Sequence, residues 1–266
     1  MTGGGPIGTL VRWRSLVLQL ARREVEGRYR GSILGLAWAV AHPLLYLGVF
    51  TFVFGIVFEA RWGTSVGPHA PFALNLFAGL IVYWLFAETL GRAPGLVVGH
   101  ASLVKRVLFP VETLPWAATL AAAFHTLVAL AVWFAGHLVF VGPPPWTALL
   151  APVALLPTAL VALGLSYVVA GVGVYARDIG QLVTVALTVL LFLSPIFYPL
   201  EAVPEAFRSV FYLNPLTAAV EEVRAVLIGG AAPGWPTAIG LVVGWIVAAA
   251  GHLLFRRLRR GFADVL

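Results

Sequence analysis

The chain has 266 residues, of which 61% are hydrophobic and 11% charged, with a formal net charge of +6 and a mean hydropathy of +0.96. Ordinary soluble domains carry about 25% charged residues, so a water-soluble fold is excluded, and the length suits one polytopic membrane domain with no appended soluble catalytic domain. Cys is absent, which excludes disulfides and thiolate metal sites.

The first 32 residues scatter six arginines and lack a short apolar core with a small-residue cleavage site, so no cleaved leader is expected. Residues 9–31 are predicted to form an amphipathic helix. Arg12, Ser15, Gln19, Arg22, Glu26 and Arg30 recur at spacings of three and four on one face, and Leu10, Trp13, Val17, Leu20 and Ala21 fill the other. Such a helix lies in the headgroup plane with its apolar side down. It serves either as a topology anchor or as a platform for a cytoplasmic partner or a lipid-linked substrate.

Six apolar stretches of spanning length follow: Ile33–Phe58, Phe72–Leu90, Leu114–Val141, Thr147–Tyr175, Ile179–Tyr198 and Trp235–Phe255. Residues 113–176 contain no charged side chain, and this run is broken only at Gly142-Pro143-Pro144-Pro145. About 20 apolar residues cross a bilayer core, so the run reads as two spans joined by a proline turn. Six crossings put both termini on one side. Arg12, Arg14, Arg22, Arg23, Arg28, Arg30, Arg92, Lys105, Arg106, Arg177, Arg256, Arg257, Arg259 and Arg260 fall on that side, and only Arg61, Arg208 and Arg224 lie opposite. The termini are therefore expected in the cytoplasm. The basic excess reflects topology and anionic lipid rather than nucleic acid.

Along the first span Tyr46, Phe50, Phe54 and Phe58 recur at i,i+4. On a channel wall these rings offer flat stacking surfaces to sugars; the same stripe also suits packing against helices or lipid. Glu88 is the one acidic residue inside a span, with Arg92 at i+4, which reads as an interfacial ion pair. His125 and His137 read as packed, hydrogen-bonded histidines. Trp84, Trp146 and Trp235, near span ends, suit an interface belt.

Residues 199–234 are too polar to cross a bilayer and too apolar for a free loop. Pro204–Leu213 reads as a short helix opened by Pro, and Asn214 as the cap of a second with Pro215 at its first position and Gly229-Gly230 at its end. Two such helices suggest a re-entrant or surface-lying hairpin on the exterior face, since non-helical backbone at membrane depth must be covered. The fold class is thus all-α, with six transmembrane helices, an interface helix and an exterior helical hairpin within one domain, 1–266.

The single lysine, Lys105, lies outside any Gly-rich turn, so no P-loop is present and no nucleotide cofactor is expected in this chain. The six histidines show no i,i+4 pairing, and no metal is expected. No nucleophile elbow occurs. A membrane-embedded glycosyltransferase or hydrolase needs convergent carboxylates, a metal set or a nucleophile at depth, which the sequence does not supply. No chain of buried carboxylates and cations suggests proton- or sodium-driven transport.

Four stretches carry a resemblance. They are Arg22–Leu45, with Arg-Tyr-Arg-Gly-Ser-Ile-Leu-Gly-Leu-Ala-Trp at its centre; Ser102–Pro110 (Ser-Leu-Val-Lys-Arg-Val-Leu-Phe-Pro); Arg177–Gln181 with Leu-Ser-Pro-Ile-Phe-Tyr-Pro downstream; and Asn-Pro-Leu-Thr leading to Glu221 and Arg224. In this order they resemble type-2 ABC exporter permeases for polysaccharides, including O-antigen, capsule and teichoic-acid exporters. His42 departs from the pattern, the residue before Pro43 there being commonly Asn. The resemblance implies a homodimer in the bacterial inner membrane, bound to two copies of a separate ATPase that holds the ATP. The cargo implied is a lipid-linked, O-antigen-like polysaccharide, with a teichoic acid or a smaller lipid or drug as the alternative. Leu103, Lys105, Arg106, Val107 and Phe109 then look like a coupling helix, and Arg177 and Asp178 like a second, shorter ATPase contact. Asn214, Pro215, Glu221 and Arg224 fall in the family's exterior gate. Tyr46, Phe50 and Phe54 are the candidate channel residues.

Overall fold

A computed structural model describes residues 5–57, 72–104 and 109–265. Lys105, Arg106, Val107 and the expected end of the first span at Phe58 lie outside the described residues, as do the side chains of Leu103 and Phe54. Every regular element among the described residues is helical. In chain order these are α1 Pro6–Arg12, α2 Arg14–Tyr29, α3 Trp38–Phe50, α4 Phe72–Arg92, α5 Ala101–Val104, α6 Thr113–Phe140, α7 Ala151–Gly173, α8 Ile179–Leu193, α9 Glu205–Leu213, α10 Pro215–Leu227, α11 Trp235–Leu258 and α12 Phe262–Val265.

Proline sets many of these starts. It occupies the first or second position of α1, α7, α10 and α11, where its missing N–H has no helical partner to lose. Pro43 and Pro157 lie inside α3 and α7, and α3 runs on into π-helical turns over Thr51–Val57. The C-terminus of α6 is closed by Gly142 at φ +121, whose N–H joins that of Val141 on the His137 carbonyl. Gly230, at φ +70, ends the turn after α10, where the Ala231 N–H reaches the Ala225 carbonyl at 3.0 Å.

Among the described residues, five segments are long and apolar enough to cross a membrane: Gly35–Val53, Phe72–Gly95, Thr113–Phe140, Trp146–Gly173 and Trp235–Gly261. The fifth expected span differs. Ile179–Tyr198 was to be one helix, but α8 stops at Leu193 after 15 residues, about 22 Å at 1.5 Å per residue. Pro195 explains the stop: the residue before proline is driven out of the α region, and Ser194 is extended at ψ 146.

The interface helix also differs, being two helices that meet at Trp13. Its apolar face does not simply face lipid. Val17, Leu20 and Ala21 are buried in one cluster with Leu114, Trp116, Ala117 and Ala118 of α6. The Trp116 indole donates to the Pro6 carbonyl at 2.9 Å, and Thr9 Oγ1 lies 3.2 Å from His252 Nε2 on α11. Trp13 remains exposed.

Two core clusters divide the bundle. One gathers α2, the start of α6 and the C-terminal ends of α7 and α11, around Tyr167 and Phe255. The other joins α4, the far half of α6, the start of α7 and α10, around Phe77, Trp133 and Val220. Helices α7 and α11 bind the two together. A Cβ on Gly164 would lie 2.5 Å from the Val247 carbonyl oxygen, and one on Gly244 2.9 Å from Leu160 Cβ. Small residues at such a seam let two helix backbones touch, and dispersion then replaces the hydrophobic driving force that lipid cannot supply.

Candidate functional site

The two helices read between Pro204 and Gly230 are α9 and α10, and they converge on the break after α8. Asn214 Oδ1 accepts from the Leu216 N–H at 2.9 Å, capping α10. Its amide nitrogen donates to Ser194 Oγ at 2.9 Å and to the Leu193 carbonyl at 3.2 Å. One residue thus starts α10 and holds the end of α8. Pro215 occupies the first position of α10.

More than two turns further along α10, Arg224 is 1% exposed. Its guanidinium donates to the carbonyls of Pro195 at 2.5 Å, Ile196 at 2.9 Å and Asn75 at 3.0 Å, and to Glu221 Oε1 at 3.0 Å. A buried charge is tolerated only when its donors are taken up, and the irregular backbone at 195–196 offers carbonyls that no helix uses. Burial lowers the Arg224 pKa to about 10, so the group stays protonated at neutral pH. Burial pushes the Glu221 carboxyl up, partly offset by the Arg224 charge. A Cβ on Gly79 would meet Arg224 Nη2 at 3.0 Å, so α4 admits the clamp by having no side chain there. Asn214, Glu221 and Arg224, singled out in the sequence, therefore belong to one assembly.

Glu222, which sequence reading passed over, links this assembly to the last span. Its Oε1 accepts from the Gly234 N–H and the Thr237 hydroxyl, both at 2.7 Å, at the start of α11. Thr147 donates to the Val226 carbonyl at 2.8 Å and ties the end of α10 to the segment before α7.

The aromatic stripe of α3 turns partly inward. Tyr46 meets Trp84 edge-on at 5.4 Å and Phe50 at 5.7 Å. Phe50 meets Phe197 at 6.3 Å, and Phe197 stacks on Phe192 of α8 at 5.9 Å. The ladder thus runs from α3 to the break that Arg224 clamps. Tyr46 remains 40% exposed. Only Val183 of α8 is buried, leaving Leu182, Val185, Val189 and Phe192 uncovered.

At the end of the bundle that holds the termini, Phe109 is half-buried against the core cluster around Tyr167 and Phe255. Arg177 and Asp178 are exposed in the turn between α7 and α8. Gly173, at the end of α7, packs directly on the turn after α4: a Cβ there would lie 2.6 Å from the Pro94 carbonyl oxygen. Arg259 donates to both carboxylate oxygens of Glu112, at 2.6 and 2.8 Å, and Tyr167 donates to the Glu112 carbonyl at 2.9 Å.

The ion pair expected between Glu88 and Arg92 is present at 3.8 Å, and Arg92 also meets Glu24 of α2 at 2.6 Å. Glu88 Oε1 receives Arg28 Nη1 and His125 Nδ1, each at 2.8 Å. The carboxylate requires the ring nitrogen to be the donor. Arg28 lies 60 positions from Glu88, so no periodicity in the sequence marks the contact. His137 Nδ1 lies 2.9 Å from the Gly142 carbonyl, as a hydrogen-bonded histidine should.

The sequence profile of the ABC-2 type transporter family matches residues 15–228. The chain is 27% identical over 258 residues to the O-antigen export system permease protein RfbA of Myxococcus xanthus, covering 96% of each chain. It is 23% identical over 252 residues to the protein of that name from Klebsiella pneumoniae, covering 94% of this chain and 95% of the relative. It is 27% identical over 213 residues to the polysialic acid transport protein KpsM of Escherichia coli, covering 78% and 79%. With the profile spanning most of its length, this chain belongs to the ABC-2 type transporter family.

Proposed function

We propose that this chain is the membrane subunit of an ATP-driven exporter that moves a lipid-linked, O-antigen-like polysaccharide outward across the bacterial inner membrane. The observation that carries the reading is the nearly full-length match to O-antigen export permeases. The chain works as a homodimer with two copies of a separate ATPase, both termini cytoplasmic, and α8 completes six crossings. Lys105, Arg106 and their neighbours dock into the ATPase beside Arg177 and Asp178. The hairpin of α9 and α10 is a re-entrant exterior gate. Tyr46, Phe50 and Phe54 line the conduit, where rings meet the C–H faces of sugars without bonds strong enough to stall a polymer. The uncovered apolar face of α8 supports a second copy closing that conduit.

Co-reconstitution of the chain with its ATPase in vesicles tests this. ATP-dependent movement of a lipid-linked glycan across the bilayer is the expected outcome, with Lys105→Glu/Arg106→Glu lowering transport while dimer and insertion stay intact. ATP hydrolysis that responds to the permease while no glycan moves would overturn the cargo assignment.

A further inference from the structure

We infer that the cleft between α2, α3, α4 and α6 holds the sugar of one sugar phosphate unit and the polar basin beside it the phosphate; the inference rests on the export reading above. A cavity of about 330 Å³ opens there, large enough for a single pyranose ring. Its walls include Tyr29, Trp38, His42 and Trp84, with Arg28 and Glu88 on one side. Flat rings flanking a carboxylate and a guanidinium make a surface for a sugar, whose C–H faces are apolar and whose hydroxyls need both acceptors and donors.

The Glu88 hydrogen bonds from Arg28 and His125 both fall on Oε1, as does the longer approach of Arg92. That leaves Oε2 to accept from a ligand hydroxyl. A carboxylate in the wall also repels phosphate from this cavity. Phosphate is accommodated next door, in a larger polar basin of about 920 Å³ that shares Arg28, Ala87 and Glu88 with the first. There Arg23, Arg28 and Arg92 outnumber Glu24 and Glu88. A ligand whose sugar sits against Trp38 and whose phosphate sits beside Arg92 spans the two cavities across Arg28.

The absence of native Cys gives a direct test. A single Ser32→Cys, at the cavity wall, carries an environment-sensitive fluorophore on the full chain in lipid nanodiscs. Dodecyl phosphate is titrated against dodecyl phosphate esterified to glucose, galactose or N-acetylglucosamine. At least one sugar ester is expected to bind about tenfold more tightly than bare dodecyl phosphate. Trp38→Ala is expected to remove that difference without weakening bare dodecyl phosphate, and Trp38→Phe to restore it. Trp38 is 40% exposed at the start of α3, so its truncation leaves the core intact, and an unchanged unfolding temperature checks this. Equal affinity for bare and sugar-bearing phosphates overturns the sugar site while leaving the export reading standing. Binding of neither also overturns it, and the vesicle transport assay then decides the export reading separately.

Discussion

Arg259, near the C-terminus, grips Glu112 at the start of α6 with one guanidinium nitrogen on both carboxylate oxygens, at 2.6 and 2.8 Å. Glu112 is the last charged residue before the charge-free run, and Phe109, at the end of the candidate coupling segment, lies three residues before it. The C-terminal tail therefore braces the base of that segment.

Arg259→Ala should lower stability by roughly 1–2 kcal/mol, as expected for a charge-assisted contact that is only partly buried. Glu112 keeps its Tyr167 contact through the backbone carbonyl, so the fold survives. Hydrogen exchange should rise over residues 109–114 and stay level in α10. Unchanged exchange at 109–114 would show that the tail braces nothing.

Arg224 carries a larger load. Replacing it with Ala leaves carbonyls at Asn75, Pro195 and Ile196 without their buried donor, and a loss of about 3–5 kcal/mol follows. Lys should fail to rescue, because one ammonium cannot reproduce a planar fork serving three carbonyls. Thermal unfolding in detergent reads both variants; a Lys variant as stable as the parent would contradict the clamp.

The seam of α7 and α11 predicts a contrast between two glycines. Gly164→Val drives a side chain into the Val247 backbone and should cost at least about 1–3 kcal/mol, seen as loss of monodisperse protein on size-exclusion chromatography. A Cβ on Gly48 meets nothing within 4 Å, so Gly48→Ala should be neutral or stabilising by up to about 1 kcal/mol. Similar behaviour of the two would place the α7–α11 contact elsewhere.

Tyr46 and Phe50 are predicted to matter for transport more than for folding. Tyr46 is 40% exposed and meets Trp84 edge-on, as Phe50 meets Phe197, so Tyr46→Ala/Phe50→Ala should slow glycan export several-fold while coupled ATP hydrolysis persists. Single cysteines at 46 and 50 should react with water-soluble thiol reagents added from outside when the conduit is open. Reaction with lipid-soluble reagents alone would assign the stripe to the bilayer.

Membrane residence, the spans of α4, α6, α7 and α11, and the Pro-opened and Asn-capped helices of the hairpin were legible in the chain itself. Hydrophobic length and capping are local properties: about 20 apolar residues suffice to commit a segment to the bilayer, and Pro or Asn acts within a turn of its own position. The Ser194-Pro195 stop was equally local, yet the continuous apolar run concealed it. Tertiary structure alone decided what the polar side chains in this apolar bundle do. Arg224 lies 149 positions from Asn75, Arg259 147 from Glu112 and Arg28 60 from Glu88, and no periodicity encodes such partners. In a medium without water each buried donor must find an acceptor wherever the packing brings one. The sequence therefore determined which segments enter the membrane, and only the packed bundle determined which of its few charges meet.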